Sequence, residues 1–128
     1  MTHLAISDIQ KSTHHHDDRL NRAGPGFAGA AADHLTVWNE DWTATQSAAG
    51  NGPMVLTAKN TEIGLSLDLQ NGKPPVFHGK EGLSQKGAQE GNASHYYSLT
   101  RMPTAGTLTI KGERFKVSGE SWMDHEFG

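Results

Sequence analysis

The strongest constraint on the fold is an alternating run near the middle of the chain. Ile63, Leu65, Leu67 and Leu69 are apolar at every second position, and polar or small residues fill the positions between them. A two-residue period sends successive side chains to opposite faces, as in a strand with one buried face. Because no stretch of normal helix length carries a convincing apolar stripe, we predict an all-β, antiparallel fold.

Shorter patterns extend this prediction in both directions along the chain. Asn71-Gly72 suits a hairpin turn, and we expect residues 74–78 to return as the partner strand. Residues 10–34 and 79–92 are interpreted as long polar loops, and residues 48–53 as a Gly/Asn turn. Gly119 is a candidate bulge before the final strand. The remaining predicted strands lie within 4–9, 35–42, 54–58, 93–102, 107–111, 115–118 and 120–127.

Composition limits the class of protein and its partners. The 128 residues suffice for a single domain over 1–128, and an apolar fraction of 34% permits only a thin core. A net charge of −3 provides no basic surface for nucleic acid. The lack of cysteine excludes disulfides and thiolate metal sites. No apolar run approaches the roughly 18 residues of a membrane span, and no signal peptide opens the chain, so the compartment stays open.

The C-terminal residues 121–128 carry the densest chemistry. As a strand, they place Trp122, Asp124 and Glu126 on one face and Ser121, Met123 and His125 on the other. A carboxyl group in an aromatic pocket has a raised pKa, so Asp124 is a candidate general acid near neutral pH. Glu126 nearby would separate the two pKa values further. The alternative is an ordinary solvated face on which both carboxylates pair with Arg101 or Arg114.

The tyrosine-rich segment 93–102 is the expected companion of this strand. Strict alternation places His95, Tyr97, Leu99 and Arg101 on one face and Tyr96, Ser98, Thr100 and Met102 on the other. Arg101 is a candidate clamp for a substrate carboxylate or for Asp124, with a structural salt bridge as the alternative. Aromatic rings here could stabilise a developing cation by about 0.5–2 kcal/mol each.

The run His14–Asp18 consists of potential metal ligands. Consecutive residues rarely direct several side chains at one ion, and the run falls in a predicted loop. We interpret it as a solvated loop with at most opportunistic metal binding, and we predict no dedicated metal site and no cofactor.

The chain resembles the carotenoid hydratase/AttH-like family, often labelled predicted secreted hydrolases. The most specific motifs are Tyr-Tyr-Ser-x-x-Arg at 96–101 and Trp-Met-Asp-His-Glu at 122–126. The other matching blocks are residues 4–9, 37–42 and 73–84. The resemblance implies a lipocalin-like β-barrel architecture, with two such domains in a much longer chain. Some members add water to a terminal isoprenoid double bond, and many have no established activity.

The resemblance also implies roles for individual residues. Asp124 would protonate the alkene, while Glu126 and Arg101 orient groups and Tyr97 lines the catalytic pocket. The implied ligand contacts are Trp122, Tyr96, His95, His125 and Trp42. The expected ligand is an apolar, isoprenoid or lipid-like small molecule.

The same resemblance implies further strands before residue 3 and after residue 128. The chain would then be an incomplete, open part-barrel taken from within the first domain. Unpaired strand edges promote association, so we expect a homo-oligomer that pairs through these edges. Three function classes follow: an apolar-ligand binding module, a hydratase or hydrolase that uses Asp124, and a structural fragment that oligomerises without catalysis.

Overall fold

The computed structural model describes residues 1–46 and 52–128, and the predicted turn at 48–53 lies largely outside these ranges. Every regular element within them is a strand, which confirms the all-β prediction. These ranges contain no helix with the length and apolar character needed to cross a bilayer. The strands are β1 Thr2–Asp8, β2 Thr13–Arg19, β3 Ala28–Ala30, β4 Thr36–Asn39, β5 Trp42–Gln46, β6 Met54–Lys59, β7 Ile63–Leu69, β8 Val76–Phe77, β9 Leu83–Gln85, β10 Ala93–Ile110 and β11 Glu113–Phe127.

The strands of the described residues form two antiparallel sheets. Within these residues β1 pairs only with β2. The other nine strands form one sheet in the order β11-β10-β7-β6-β5-β4-β3, and β8 and β9 both pair with β10. Among the described residues the two ends of this path, β11 and β3, do not pair with each other. The larger sheet is therefore an open part-barrel.

β10 connects the parts of the large sheet. Residues 104–110 of β10 pair with β7, residues 93–98 pair with β8 and β9, and the opposite edge of β10 pairs with β11. The register shifts between Leu99 and Met102, so two residues of β10 oppose one residue of β11. Arg101 in this bulge has a φ of 52°. Gly119 is paired in register with Thr104, so the predicted bulge at Gly119 was wrong.

The bulge changes the faces that strict alternation predicted. An extra residue in one strand reverses the side to which later side chains point. Met102 therefore shares a face with Leu99, and both pack with Met54 and Leu69. The prediction that placed Met102 on the face of Ser98 was wrong for this reason.

The predicted hairpin after β7 was also wrong. β7 pairs with β6 and β10, whereas Val76–Phe77 pairs with β10. A Cβ atom on Gly72 would lie 2.3 Å from the carbonyl oxygen of Thr100. Gly72 therefore permits close approach of this segment to the bulge, and it does not turn a hairpin.

The loop predicted over 10–34 contains β2 and β3, and the loop predicted over 79–92 contains β9. β2 consists of THHHDDR, which offers no apolar alternation to indicate a strand. It pairs along its whole length with β1, whose Leu4 and Ile6 are buried. The partner strand fixes the conformation of β2, and its own sequence does not reveal it.

The core lies on one face of the large sheet, which we call the inner face and define by the alternating apolar side chains of β7. At one end of the inner face, Leu4 and Ile6 of the β1–β2 hairpin pack on Trp42 and Ile63. Burying each aliphatic side chain of this kind contributes about 1.5–3 kcal/mol. At the other end is a second cluster that includes Leu99 and Met123 and contains no residue of the hairpin. The opposite side of β10 and β11 is called the outer face.

Candidate functional site

Asp124 lies on the outer face, at the centre of a hydrogen-bonded group. The Ser98 hydroxyl donates to Asp124 Oδ1 at 2.5 Å, and the Trp122 indole Nε1 donates to the same oxygen at 2.9 Å. Cross-strand pairing aligns Ser98 with Asp124, and the two-residue period of β11 aligns Trp122. His78 Nε2 lies 2.7 Å from Ser98 Oγ. Since the Ser98 proton goes to the carboxylate, Ser98 accepts from His78.

Glu126 lies two residues further along the same face. The Ser94 hydroxyl donates to Glu126 Oε1 at 2.6 Å, and Lys86 forms an ion pair with the same oxygen. Lys86 Nζ also lies 5.6 Å from the centroid of the Tyr96 ring. Tyr96 in turn stacks on the His78 ring, with 4.0 Å between centroids. The two carboxylates thus belong to one continuous polar group that includes an aromatic stack.

Hydrogen bonding holds both carboxylates in their charged form. The hydrogen bond from Ser98, followed by that from Trp122, lowers the pKa of Asp124 below its ordinary 3.8. The Lys86 and Ser94 contacts likewise lower the pKa of Glu126 below 4.5. Burial acts in the opposite direction in both cases and is outweighed. A general acid near neutral pH needs a raised pKa, but this environment lowers the pKa of Asp124.

The partners of these carboxylates differ from those that the alternative interpretation named. Neither Asp124 nor Glu126 forms an ion pair with Arg101 or Arg114 in the part of the chain that the structure describes. Asp124 instead accepts hydrogen bonds from the Ser98 hydroxyl and the Trp122 indole. Glu126 pairs with the Ser94 hydroxyl and Lys86. Arg101 itself is exposed in the bulge of β10.

Three other predicted residues lie on the inner face. The Tyr97 hydroxyl and His125 Nδ1 are hydrogen-bonded at 2.9 Å across β10 and β11. Phe127 stacks on His95 at 5.4 Å and lies 4.8 Å from the His125 ring. His95 and His125 thus contact the same aromatic side chain. The sheet separates this aromatic group from Asp124.

Two cavities lie along the uncovered end of the inner face. One has a volume of about 630 Å³ and is lined by Phe77, Tyr97, Leu99 and Met102 together with residues 71–75. The other, of about 440 Å³, is bounded by apolar residues of β4, β5, β6 and β7 and by residues 121–125 of β11. Both volumes fall within the range of about 300–1,000 Å³ that is typical of small-molecule sites.

Trp42 lies apart from both groups. Its indole is buried among the residues that the β1–β2 hairpin covers, and its Nε1 donates to the Lys59 carbonyl at 2.8 Å. The Arg19 guanidinium lies over its ring, 4.2 Å from the centroid. Trp42 is also in contact with a separate cavity of about 210 Å³.

Sequence reasoning missed four members of the outer-face group: Ser94, Ser98, His78 and Lys86. Ser98 is fully buried although it is polar, and such a residue is kept only when its hydroxyl is paired. Its position opposite Asp124 depends on the register of β10 and β11, which only the folded chain fixes. His78 and Lys86 carried no signal, because β8 and the β9–β10 connection place them only in the folded chain.

Together these features define a class: an all-β, lipocalin-like open part-barrel with an apolar inner face and a carboxylate group on its outer face. The chain belongs to the AttH-like family, whose family model matches residues 1–128. A comparison with curated proteins gives no match.

A solved structure of a protein from Nitrosomonas europaea, provisionally named AttH, is similar to this chain. The two share 28% sequence identity, with a TM-score of 0.86 over 98% of this chain. The matched region is 38% of the Nitrosomonas europaea chain, so this chain spans well under half of that protein's length.

Proposed function

We propose that this protein binds an apolar small molecule on the inner face, at the end that the β1–β2 hairpin leaves uncovered. The observation that carries the proposal is the pair of cavities around Leu99, Met102 and Met123. Each is lined mainly by apolar side chains and contacts the second core cluster. An apolar ligand there would remove from water the surface that the hairpin does not reach.

The lining combines adaptable and orienting groups. Met54, Met102 and Met123 belong to this cluster, and unbranched methionines adjust to ligands of irregular shape. The Tyr97–His125 hydrogen bond supplies a polar pair at the edge of the apolar surface. A few polar groups beside a mainly apolar lining are the usual arrangement in small-molecule sites. The ligand class favoured is therefore a mainly apolar molecule with one polar end.

Titration with N-phenyl-1-naphthylamine, whose fluorescence rises in apolar surroundings, tests this proposal. Leu99→Trp fills the larger cavity and should weaken probe binding at least about tenfold. Glu120→Trp is the matched control, because it adds the same side chain at an exposed position paired with Pro103 on the outer face. Absence of saturable binding, or equal losses in both variants, contradicts the proposal.

A hydratase or hydrolase with Asp124 as general acid is the second candidate. The convergence of Ser98, Trp122 and the Ser98-bound His78 on one carboxylate favours it. Asp124 borders the smaller inner-face cavity, but its lowered pKa weighs against proton donation to a ligand bound there. Turnover of a terminal isoprenoid alkene that disappears in Asp124→Asn, with an unchanged melting temperature, would move this candidate ahead.

We further propose that two copies associate along β11. This strand pairs with β10 on one edge, and its other edge has no strand partner among the described residues. An unpaired edge of this length is a template for another strand. Sedimentation should show a dimer or higher species, and a stable monomer would contradict this proposal. An oligomer that binds no apolar probe and turns over no substrate would favour a purely structural role.

A further inference from the structure

The larger of the two inner-face cavities, of about 630 Å³, carries charge of one sign only. Among the described residues that line it, Lys73 is the only one with a charged side chain, and most of the others are apolar. Lys73 forms no ion pair within the described ranges. A lone cation beside a mainly apolar lining favours a ligand with an anionic group at that edge, because complementary charge selects between ligands of similar shape.

The backbone that carries Lys73 is held against β10. The Lys73 N–H donates to the Thr100 carbonyl oxygen at 3.1 Å, and the close approach of Gly72 to the same oxygen permits this contact. Pro74 and Pro75 follow, and a proline restricts both its own φ and the conformation of the residue before it. The Lys73 side chain is exposed, but it starts from a constrained backbone. This constraint lowers the entropic cost of placing its ammonium group at the edge of the cavity.

The apolar surface beside Lys73 continues beyond the larger cavity. Leu99 and Met102 line this cavity, and both pack in the cluster that includes Met123, which lines the smaller cavity. A continuous surface of this kind suits an extended aliphatic chain. Asp124 borders the smaller cavity, and its negative charge disfavours an anionic end there. The two charges therefore favour one orientation, with the anionic end at Lys73 and the chain over the methionines.

We propose that Lys73 binds the anionic head group of an aliphatic-chain ligand, of the class of long-chain carboxylates, whose chain lies on the inner face. The inference rests on the proposed apolar-ligand site and adds the charge and the orientation of the ligand's polar end. The lysine ammonium group suits this role, because it donates up to three hydrogen bonds and forms charge-assisted bonds with anionic oxygens.

Displacement of bound N-phenyl-1-naphthylamine by three amphiphiles of equal chain length tests the inference. The competitors are dodecanoate, dodecanol and dodecyltrimethylammonium, each below its micelle-forming concentration. The wild-type protein should bind dodecanoate about fivefold more tightly than dodecanol, and dodecyltrimethylammonium least tightly. Lys73→Gln should abolish the preference for dodecanoate and leave dodecanol binding unchanged. Lys116→Gln is the matched control, because it removes the same charge at an exposed position of β11 outside the cavity lining, and it should keep the preference.

Charge reversal separates the role of Lys73 from that of the apolar site. Lys73→Glu should reverse the order, so that dodecyltrimethylammonium binds more tightly than dodecanoate, with a nearly unchanged melting temperature because the side chain is exposed. If the probe binds but all three amphiphiles displace it equally, or if the preference for dodecanoate survives in Lys73→Gln, this inference is overturned and the apolar site stands. Failure of the probe and of all three amphiphiles to bind would overturn both.

Discussion

Arg19 should be the main attachment of the β1–β2 hairpin to the large sheet. Its guanidinium donates to the carbonyl oxygens of Asn39 and Lys59, each at 3.1 Å, and it lies 4.2 Å from the Trp42 ring centroid. Only 16% of the Arg19 side-chain surface is exposed to solvent. Arg19→Lys keeps the charge but replaces a planar fork with a single ammonium group, which cannot reach both carbonyls while it covers the ring.

The contacts of Arg19 set the magnitude of this effect. A hydrogen bond from a charged donor contributes about 1.5–3 kcal/mol, and we take the lower end because some water remains. Loss of one such bond and of part of a cation–π contact of about 0.5–2 kcal/mol gives a destabilisation of about 2–3 kcal/mol. The contacts with Glu40 and Asp41 are left out because both carboxylates are exposed. For a chain of this length the corresponding fall in melting temperature is roughly 10 °C.

Urea unfolding monitored by circular dichroism measures this loss. Arg22→Lys is the matched control, because Arg22 is exposed and the same substitution there should stay within about 0.5 kcal/mol. A loss in Arg19→Lys below about 1 kcal/mol, or no greater than in Arg22→Lys, would refute the attachment argument.

Three more predictions concern the sheet and its outer face. Ser98→Ala removes the main cause of the lowered pKa of Asp124, so carboxyl carbon NMR should show that pKa rising toward 3.8; an unchanged value would contradict the hydrogen-bond assignment. Stability supplied by ionised Asp124 and Glu126 is present above their ordinary pKa values and is lost as the pH falls through the lowered ones. Asp124→Asn should therefore make the free energy of unfolding fall less steeply as the pH is lowered. A pH dependence identical to that of the wild-type protein would count against this. Gly106→Ala places a Cβ atom 2.1 Å from a carbonyl oxygen and should cost at least about 2 kcal/mol in urea unfolding, whereas Gly119→Ala, with no atom within 4 Å, should be nearly neutral.

Much of the fold follows from local patterns in the sequence. The alternation over Ile63–Leu69 identifies β7 at its observed boundaries. The same reasoning fails for β2, because its side chains are polar on both sides and only pairing with β1 makes it a strand. It also fails at Asn71-Gly72, where the glycine is required by a close approach to β10 that no local pattern reveals.

The candidate site was predictable in part. Alternation correctly grouped Trp122, Asp124 and Glu126, since β11 has no register shift after Ser121. Alternation could not show that Ser98 and Lys86 would be partners of Asp124 and Glu126. Without these partners the sequence predicted a raised pKa for Asp124, whereas the folded chain lowers it. The bulge at Arg101 had no sequence signal, because a residue other than glycine adopts the positive φ.

Carbon-13 NMR of the methionine methyl groups gives the most direct test of apolar-ligand binding on the inner face. Three of the four methionines, Met54, Met102 and Met123, lie in the inner-face cluster, and exposed Met1 is an internal control. Titration with N-phenyl-1-naphthylamine should shift the three inner methyl signals with a single dissociation constant and leave Met1 unchanged. Equal shifts at Met1, or no saturable shift at the inner three, would contradict the account.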